Sequence, residues 1–384
     1  MALFGKFSGT NDTVGIDIGS HSIKVVQVSL TRHGYTLTRA GSTPTPAEAI
    51  KQGLIDDRLA VADEIRSLLQ RLGIPTSLAV AAVAGPTVVV RQVQLPAMPE
   101  HQLRKSIHWE ARNYISFPVE DSLLEFQILG TRNTDGTPQM DVMLVAAPRD
   151  LVDSRVETLE QAGLDPIAME LEPFALMRAV VDLGLGIDAT NETVALVDIG
   201  AMYSHISIIS RGNFVLSRSV TVAGNSFTEA IANILSVDNA QAEEVKENDL
   251  EMVMDEVTRA TLSPVGQEAS RALEPLMEEL VREIRRSFAF YDYQQTPAGG
   301  EGRASGSGVS KIILTGGSAR MRGLPAFLQD QLGIVVSTVD LFGNGVIQLP
   351  ANAEELYQQG PRLATAFGLA LREPMLAHER GGIR

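Results

Sequence analysis

One device occurs twice in this chain. Residues 14–28 read as an apolar strand ending in Asp17-Ile18-Gly19, a short turn through Ser20 and His21, and a second strand from Ser22. Residues 193–209 repeat the pattern around Asp198-Ile199-Gly200. Taken alone, the first copy is a β-hairpin with a glycine turn. The glycine lets the backbone turn tightly and approach a ligand, and successive N–H groups in such a turn form a nest for an anion. A carboxylate beside that nest makes sense if a hydrated Mg²⁺ lies between it and a phosphate. Lys24 follows Asp17 by seven residues and places a cation at the same anion. Asp is also common before Gly for turn formation alone, but its paired occurrence argues against that as the whole explanation. Two copies predict two homologous halves facing each other across a cleft. A third element, residues 311–319, is a strand running into Gly316-Gly317-Ser318 and then a helix.

With 384 residues the chain exceeds one ordinary core, so two domains are expected. A formal net charge of −15 argues against nucleic-acid binding, because phosphate backbones are repelled, while local donors decide whether a single nucleotide binds. The absence of cysteine excludes disulfides, Cys-zinc sites and thiol catalysis, and fits a cytoplasmic setting. The apolar patch at residues 1–7 is too short for a signal peptide. Residues 72–90 carry no charge, but Pro75, Gly85 and Pro86 read as strand, turn and strand, not a spanning helix.

In chain order, the first half is expected at residues 13–190, with an α+β unit inserted at 88–148. That unit has an amphipathic helix over 99–115 with Leu103, Ile107, Ala111 and Ile115 on one face, closed by Phe117-Pro118, and then two strands. Glu172-Pro173 opens a helix, with Pro173 suited to its first turn. The second half is expected at 191–349, with a helical subdomain at 223–295 that includes a long helix over 270–293. Residues 296–310, rich in Gly, Ser and Ala, read as a mobile loop within one half. Residues 350–372 form a C-terminal helix returning to the first half. Its 363–371 stretch is built of small residues suited to close packing on the hinge. Residues 373–384 read as frayed.

Three glycine turns at strand ends in this order resemble the actin-like ATPase superfamily, which includes actin, sugar kinases, chaperone ATPase domains and the division protein FtsA. The likeness spans residues 13–372. It implies an α/β actin-like ATPase fold, two ribonuclease-H-like halves around a nucleotide cleft, with an FtsA-type inserted α+β subdomain. Within the insertion, Glu110-Ala111, the run from Tyr114 through Pro118 to Asp121, and Val145 through Arg149 are most similar to the PilM-like proteins of type IV pilus assembly. That resemblance implies a cytoplasmic ATP-binding adaptor, peripheral to the inner membrane through a partner and not inserted itself. The partner is the cytoplasmic N-terminal tail of a PilN-like inner-membrane protein, held in a groove beside the insertion. Contact with a pilus motor ATPase and self-association are further implied partners.

Residue by residue, the resemblance implies that Gly19, Ser20, Ser22 and Lys24 hold the β- and γ-phosphates of ATP. Asp17 and Asp198 orient Mg²⁺ through waters, and Gly200 faces the phosphates from the opposite side. Gly316, Gly317 and Ser318 border the adenosine. Lys246 and Glu247 resemble ribose and base contacts; an exposed charge pair on a helix is their alternative reading. Glu172 is the candidate carboxylate for slow hydrolysis, or else a helix-start residue favoured by the dipole. Ala201 stands where actin has a second carboxylate, which lowers the expected hydrolysis rate. His21 and His205 have no metal-ligand spacing and read as incidental. Trp109, off the apolar stripe, is a candidate partner-facing residue. A sugar-kinase-like enzyme would need a polar acceptor pocket and a base. A filament-forming tether like FtsA would need an amphipathic C-terminal helix, which Pro374 and Gly381-Gly382 disfavour.

Overall fold

The computed structural model describes residues 2–5, 13–32, 34–134, 136–184, 191–253, 255–295, 308–343, 345–350 and 354–379. Most of the loop expected at 296–310 and the last five residues lie outside these ranges.

Two sheets carry the fold. The first has seven strands in the order Ala2–Gly5, Asp165–Leu171, Leu78–Val83, Thr13–Ile18, Ser22–Thr31, Gly34–Pro44, Ile347–Gln348. The second has eight, in the order Val335–Thr338, Lys311–Thr315, Thr193–Ile199, Ser204–Ser210, Asn213–Val220, Val89–Pro96, Thr137–Pro148, Ser122–Thr134. In each sheet the strand ending in Asp-Ile-Gly pairs antiparallel with its successor. On its other side it pairs parallel with a later strand, Leu78–Val83 or Lys311–Thr315. Both strands are central, which explains their unbroken apolar runs: Val14 and Ile16 in one, Ala195 and Val197 in the other, are fully buried. The carboxyl ends of both strands, each bearing Asp-Ile-Gly, therefore meet the same cleft.

Chain order places the insertion inside the first half, but its strands extend the second sheet, joined at Leu216 and Arg91. The unit has its own core, with Leu103, Ile107 and Ala111 of the helix Glu100–Ala111 packed on Val93, Phe126, Met140 and Leu144. That helix stops four residues before the expected end. Tyr114 and Ile115 both turn their N–H back to Ala111 O, a tightening that ends the helix before Pro118. Trp109 is 69% exposed on its outer face, with the Arg112 guanidinium 5.0 Å from its ring centre.

Helix Glu354–Ala370 closes the base of the cleft. A Cβ on Gly15 would overlap the Ala366 carbonyl and Ala370 N–H, and one on Gly368 would overlap the Ala175 carbonyl. Glycine at both contacts lets this helix rest directly on strand Thr13–Ile18 and on helix Glu172–Met177. The second half is tied to it by Gly316 N–H donating to Pro361 O at 2.9 Å.

The long helix begins at Pro264, earlier than expected, and runs to Gln295 with Leu273, Met277, Leu280, Ile284 and Phe288 buried. The expectation that residues from 373 onward are frayed is corrected: Arg372–Glu379 is a helix, with Glu373 and Pro374 buried. Pro374 falls in its first turn, where a missing N–H costs nothing. Arg372 Nε anchors the segment by donating to the buried Glu170 carboxylate at 3.0 Å. No helix of the described residues is long and apolar enough to cross a membrane.

Candidate functional site

A cavity of about 270 Å³ lies between the halves. Asp17, Gly19, Ser20, Ser22, Lys24, Glu172, Asp198, Gly200, Lys246, Glu247, Gly316, Gly317 and Ser318 all line it. Strands from residues 13, 193 and 311, and helices from residues 172, 239 and 354, bring these scattered positions together.

The two turns are built alike. Gly19 N–H closes on Ser22 O at 3.2 Å, and Gly200 N–H on Tyr203 O at 3.1 Å. Helix Gly224–Leu235 then braces the second turn: Gly224 N–H donates to Gly200 O and Asn225 N–H to Ala201 O. A Cβ on Gly224 would lie 2.8 Å from Ser318 Oγ, and one on Gly316, whose φ is +88°, 2.5 Å from Ile199 O. Three chain segments approach here at backbone distance, which glycine alone permits.

The electrostatics centre on three carboxylates. Asp17 and Lys24 are directly opposed in the strand register, and Lys24 Nζ lies 3.0 Å from Asp17 Oδ2. Asp198, 5% exposed, accepts from Thr315 Oγ1 at 2.8 Å. Burial raises its pKa to about 6, with Asp17 adding to the rise against the opposing Thr315 hydrogen bond. Glu172 is raised well above the carboxylate range by burial, then by Asp198 and Asp17; it accepts from Thr365 Oγ1 at 3.3 Å. Like charges converging out of water cannot all ionise without a cation, so Glu172 and Asp198 retain a proton between them. This is the donor set a hydrated divalent cation would relieve, and the glycine cradles beside it fit a polyphosphate. Among the described residues, no group of three or more His, Asp or Glu is placed to hold a metal directly. Any metal here therefore needs oxygen ligands from water or a phosphate.

Three sequence readings change. Lys246 is not an exposed partner of Glu247. Its ammonium is buried and donates to Glu243 Oε2 at 2.7 Å, Thr228 Oγ1 at 2.8 Å and Gly224 O at 3.2 Å, while Glu247 is exposed at the cavity edge. His21 and His205, read as incidental, both line the cavity. Burial lowers the pKa of each, His205 to about 4. Ser219 Oγ donates to Gly85 O at 3.2 Å and so accepts from His205 Nδ1 at 2.9 Å. That leaves Nε2 of a neutral imidazole as an acceptor 3.8 Å from Glu172 Oε2. The sequence reading missed Thr365, Arg362, Glu243 and Arg155 in the lining. The small-residue helix was the available signal for the first two; the others sit on helices with no local motif.

Residues 15–374 match the family model described as Type IV pilus assembly protein PilM. A solved PilM-PilN type IV pilus biogenesis complex contains a similar chain at 29% identity and a TM-score of 0.79, over 94% of this chain and 98% of that one. Cell division protein FtsA of Bacillus subtilis (strain 168) is 23% identical over 359 residues, 83% of this chain and 76% of its own. MreB 5 of Spiroplasma citri, solved bound to AMPPNP, superposes with a TM-score of 0.50 at 15% identity, over 97% of this chain and 98% of that one. The fold is that of the actin-like ATPases.

Proposed function

This chain belongs to the type IV pilus assembly protein PilM family, and from that premise we propose that it is an ATP-binding adaptor that holds the cytoplasmic tail of a PilN-like inner-membrane protein. The observation carrying the nucleotide half of this reading is the convergence of both Asp-Ile-Gly turns on one cavity, with an acidic trio in which, among the described residues, only Asp17 has a lysine or arginine ion-pair partner, Lys24. Gly19, Ser20, Ser22 and Lys24 on one wall and Gly200 on the other would hold the phosphates. Asp17 and Asp198 would hold hydrated Mg²⁺, and Gly316, Gly317 and Ser318 would border the adenosine. Bound Mg·ATP would supply charge that both halves share and so favour their closure. Glu172, whose pKa is raised by burial and by Asp198 and Asp17 and whose Oε2 lies 3.8 Å from His205 Nε2, is the candidate carboxylate for slow hydrolysis.

The similarity to a chain solved in a PilM-PilN complex supports the partner. Two sheet edges suit a peptide: Ser122–Thr134, which the insertion supplies, and, close by, Ala2–Gly5 at the edge of the first sheet. An extended tail can add to such an edge through main-chain hydrogen bonds. The protein would then be cytoplasmic and peripheral to the inner membrane through that tail. Because both ligands bear on one cleft state, their binding is linked. Titrating a tail peptide with and without Mg·ATP should give different affinities; identical values would exclude the coupling.

A further inference from the structure

Arg155 stands out among the buried arginines. It is 5% exposed, on helix Arg149–Gln161, and lines the cavity between the halves. Its Nη1 donates to two backbone carbonyls, Gly53 O at 2.9 Å and Leu151 O at 3.2 Å. Its Nε is buried with no hydrogen-bond partner. Other buried or nearly buried arginines each face carboxylates: Arg178 has Glu170, Arg259 has Glu256 and Glu274, and Arg372 has Glu170 and Glu373. Arg155 forms no ion pair with any described residue, and Asp17 and Glu172 act on it only from a distance.

A guanidinium out of water without a counter-anion is costly, and Nη2, which is neither hydrogen-bonded like Nη1 nor sealed like Nε, is the donor of the planar fork left for a phosphate. Resting on the proposed nucleotide site, we propose that Arg155 is a terminal-phosphate contact: it recognises the γ-phosphate of a bound triphosphate and so distinguishes tri- from diphosphate. The side chain reaches the cavity from the first half, near Gly53 and the Asp17–Lys24 pair that also line it. It is pinned by backbone carbonyls, so its donors are set before the ligand arrives.

The test is equilibrium binding of Mg·ATP and Mg·ADP to the full chain and to Arg155→Met and Arg155→Lys. The Met variant should lose about ten- to a hundred-fold in ATP affinity, the range for a charge-assisted hydrogen bond, and less than about three-fold in ADP affinity. The Lys variant should recover part of the loss. Thermal melts without ligand should show the Met variant as stable as the parent or more so, since it removes an unpaired buried charge. Equal ATP affinity in parent and Met variant, equal losses for both nucleotides, or a lower melting temperature in both variants would overturn the assignment and leave Arg155 a structural residue. If the parent itself binds neither nucleotide, the underlying nucleotide reading fails instead.

Discussion

Replacing Asp198 by Asn should stabilise the ligand-free protein at neutral and alkaline pH and leave it nearly unchanged in acid. Burial raises this carboxyl from an ordinary 3.8 to about 6. The folded chain thus holds the proton more tightly than the unfolded one. Below about pH 3 both states are protonated and the group contributes nothing, and at pH 4 only about 0.5 kcal/mol of the penalty has built up. As pH rises toward 6 the unfolded chain releases its proton first, so stability falls, and above about pH 7 the penalty is complete. Two units at about 1.4 kcal/mol each give about 3 kcal/mol. Sharing of the proton with Glu172 and cavity water bring the expectation to about 1–3 kcal/mol. Asn keeps the oxygen that accepts from Thr315 and removes the charge. Chemical denaturation of both proteins at pH 4 and pH 8, without nucleotide, reads the difference directly. The variant should lie within about 0.5 kcal/mol of the parent at pH 4 and exceed it by more at pH 8. A variant less stable at pH 8, or a gap independent of pH, would refute the idea that this cluster is electrostatically strained in the absence of a cation.

Two packing tests follow. Gly368→Ala drives a methyl into the Ala175 carbonyl, where helix Glu354–Ala370 meets helix Glu172–Met177. It should cost about 1–3 kcal/mol or more, seen as a lowered melting temperature, and an unchanged melt would contradict the close contact. Glu170→Ala strips the shared carboxylate from Arg178 and Arg372, which donate to it at 2.8, 2.9 and 3.0 Å. Burial opposes ionisation of Glu170, but the two arginines outweigh it and hold its pKa below the carboxylate range. The variant should lose about 3–5 kcal/mol and expose the C-terminal helix to limited proteolysis; a resistant tail would show that Arg372 does not anchor it.

The parts of the fold that were legible from sequence are those where backbone chemistry demands a residue type. The central strands announce themselves as apolar runs because both faces are covered, Gly200 and Gly316 because a backbone oxygen approaches too closely for a side chain, and Gly19 because a Cβ there would crowd Ser22 O and the Lys24 ammonium at 3.0 Å. The residues nominated from these motifs all reach one cavity. What escaped depends on distant partners. Lys246 looks solvent-exposed in a charged helical run, yet Glu243 and Thr228 bury it. The helix after Arg372 looks broken by Pro374, yet Glu170, some two hundred residues earlier, secures its first residue. Arg155 has no motif because its partners are backbone carbonyls, one on its own helix at Leu151 and one about a hundred residues earlier at Gly53. The insertion was visible as a unit through its helix stripe, whereas its membership of the second sheet rests on the single Leu216–Arg91 register.

Calorimetric titration of Mg·ATP into the parent, Asp17→Asn and Lys24→Met proteins asks most directly whether the twin turns hold a nucleotide. The parent should bind, and each variant, missing one member of the 3.0 Å pair, should bind at least ten-fold more weakly while melting within a few degrees of the parent. No heat in the parent, or equal affinities in all three, would contradict a triphosphate held between the halves.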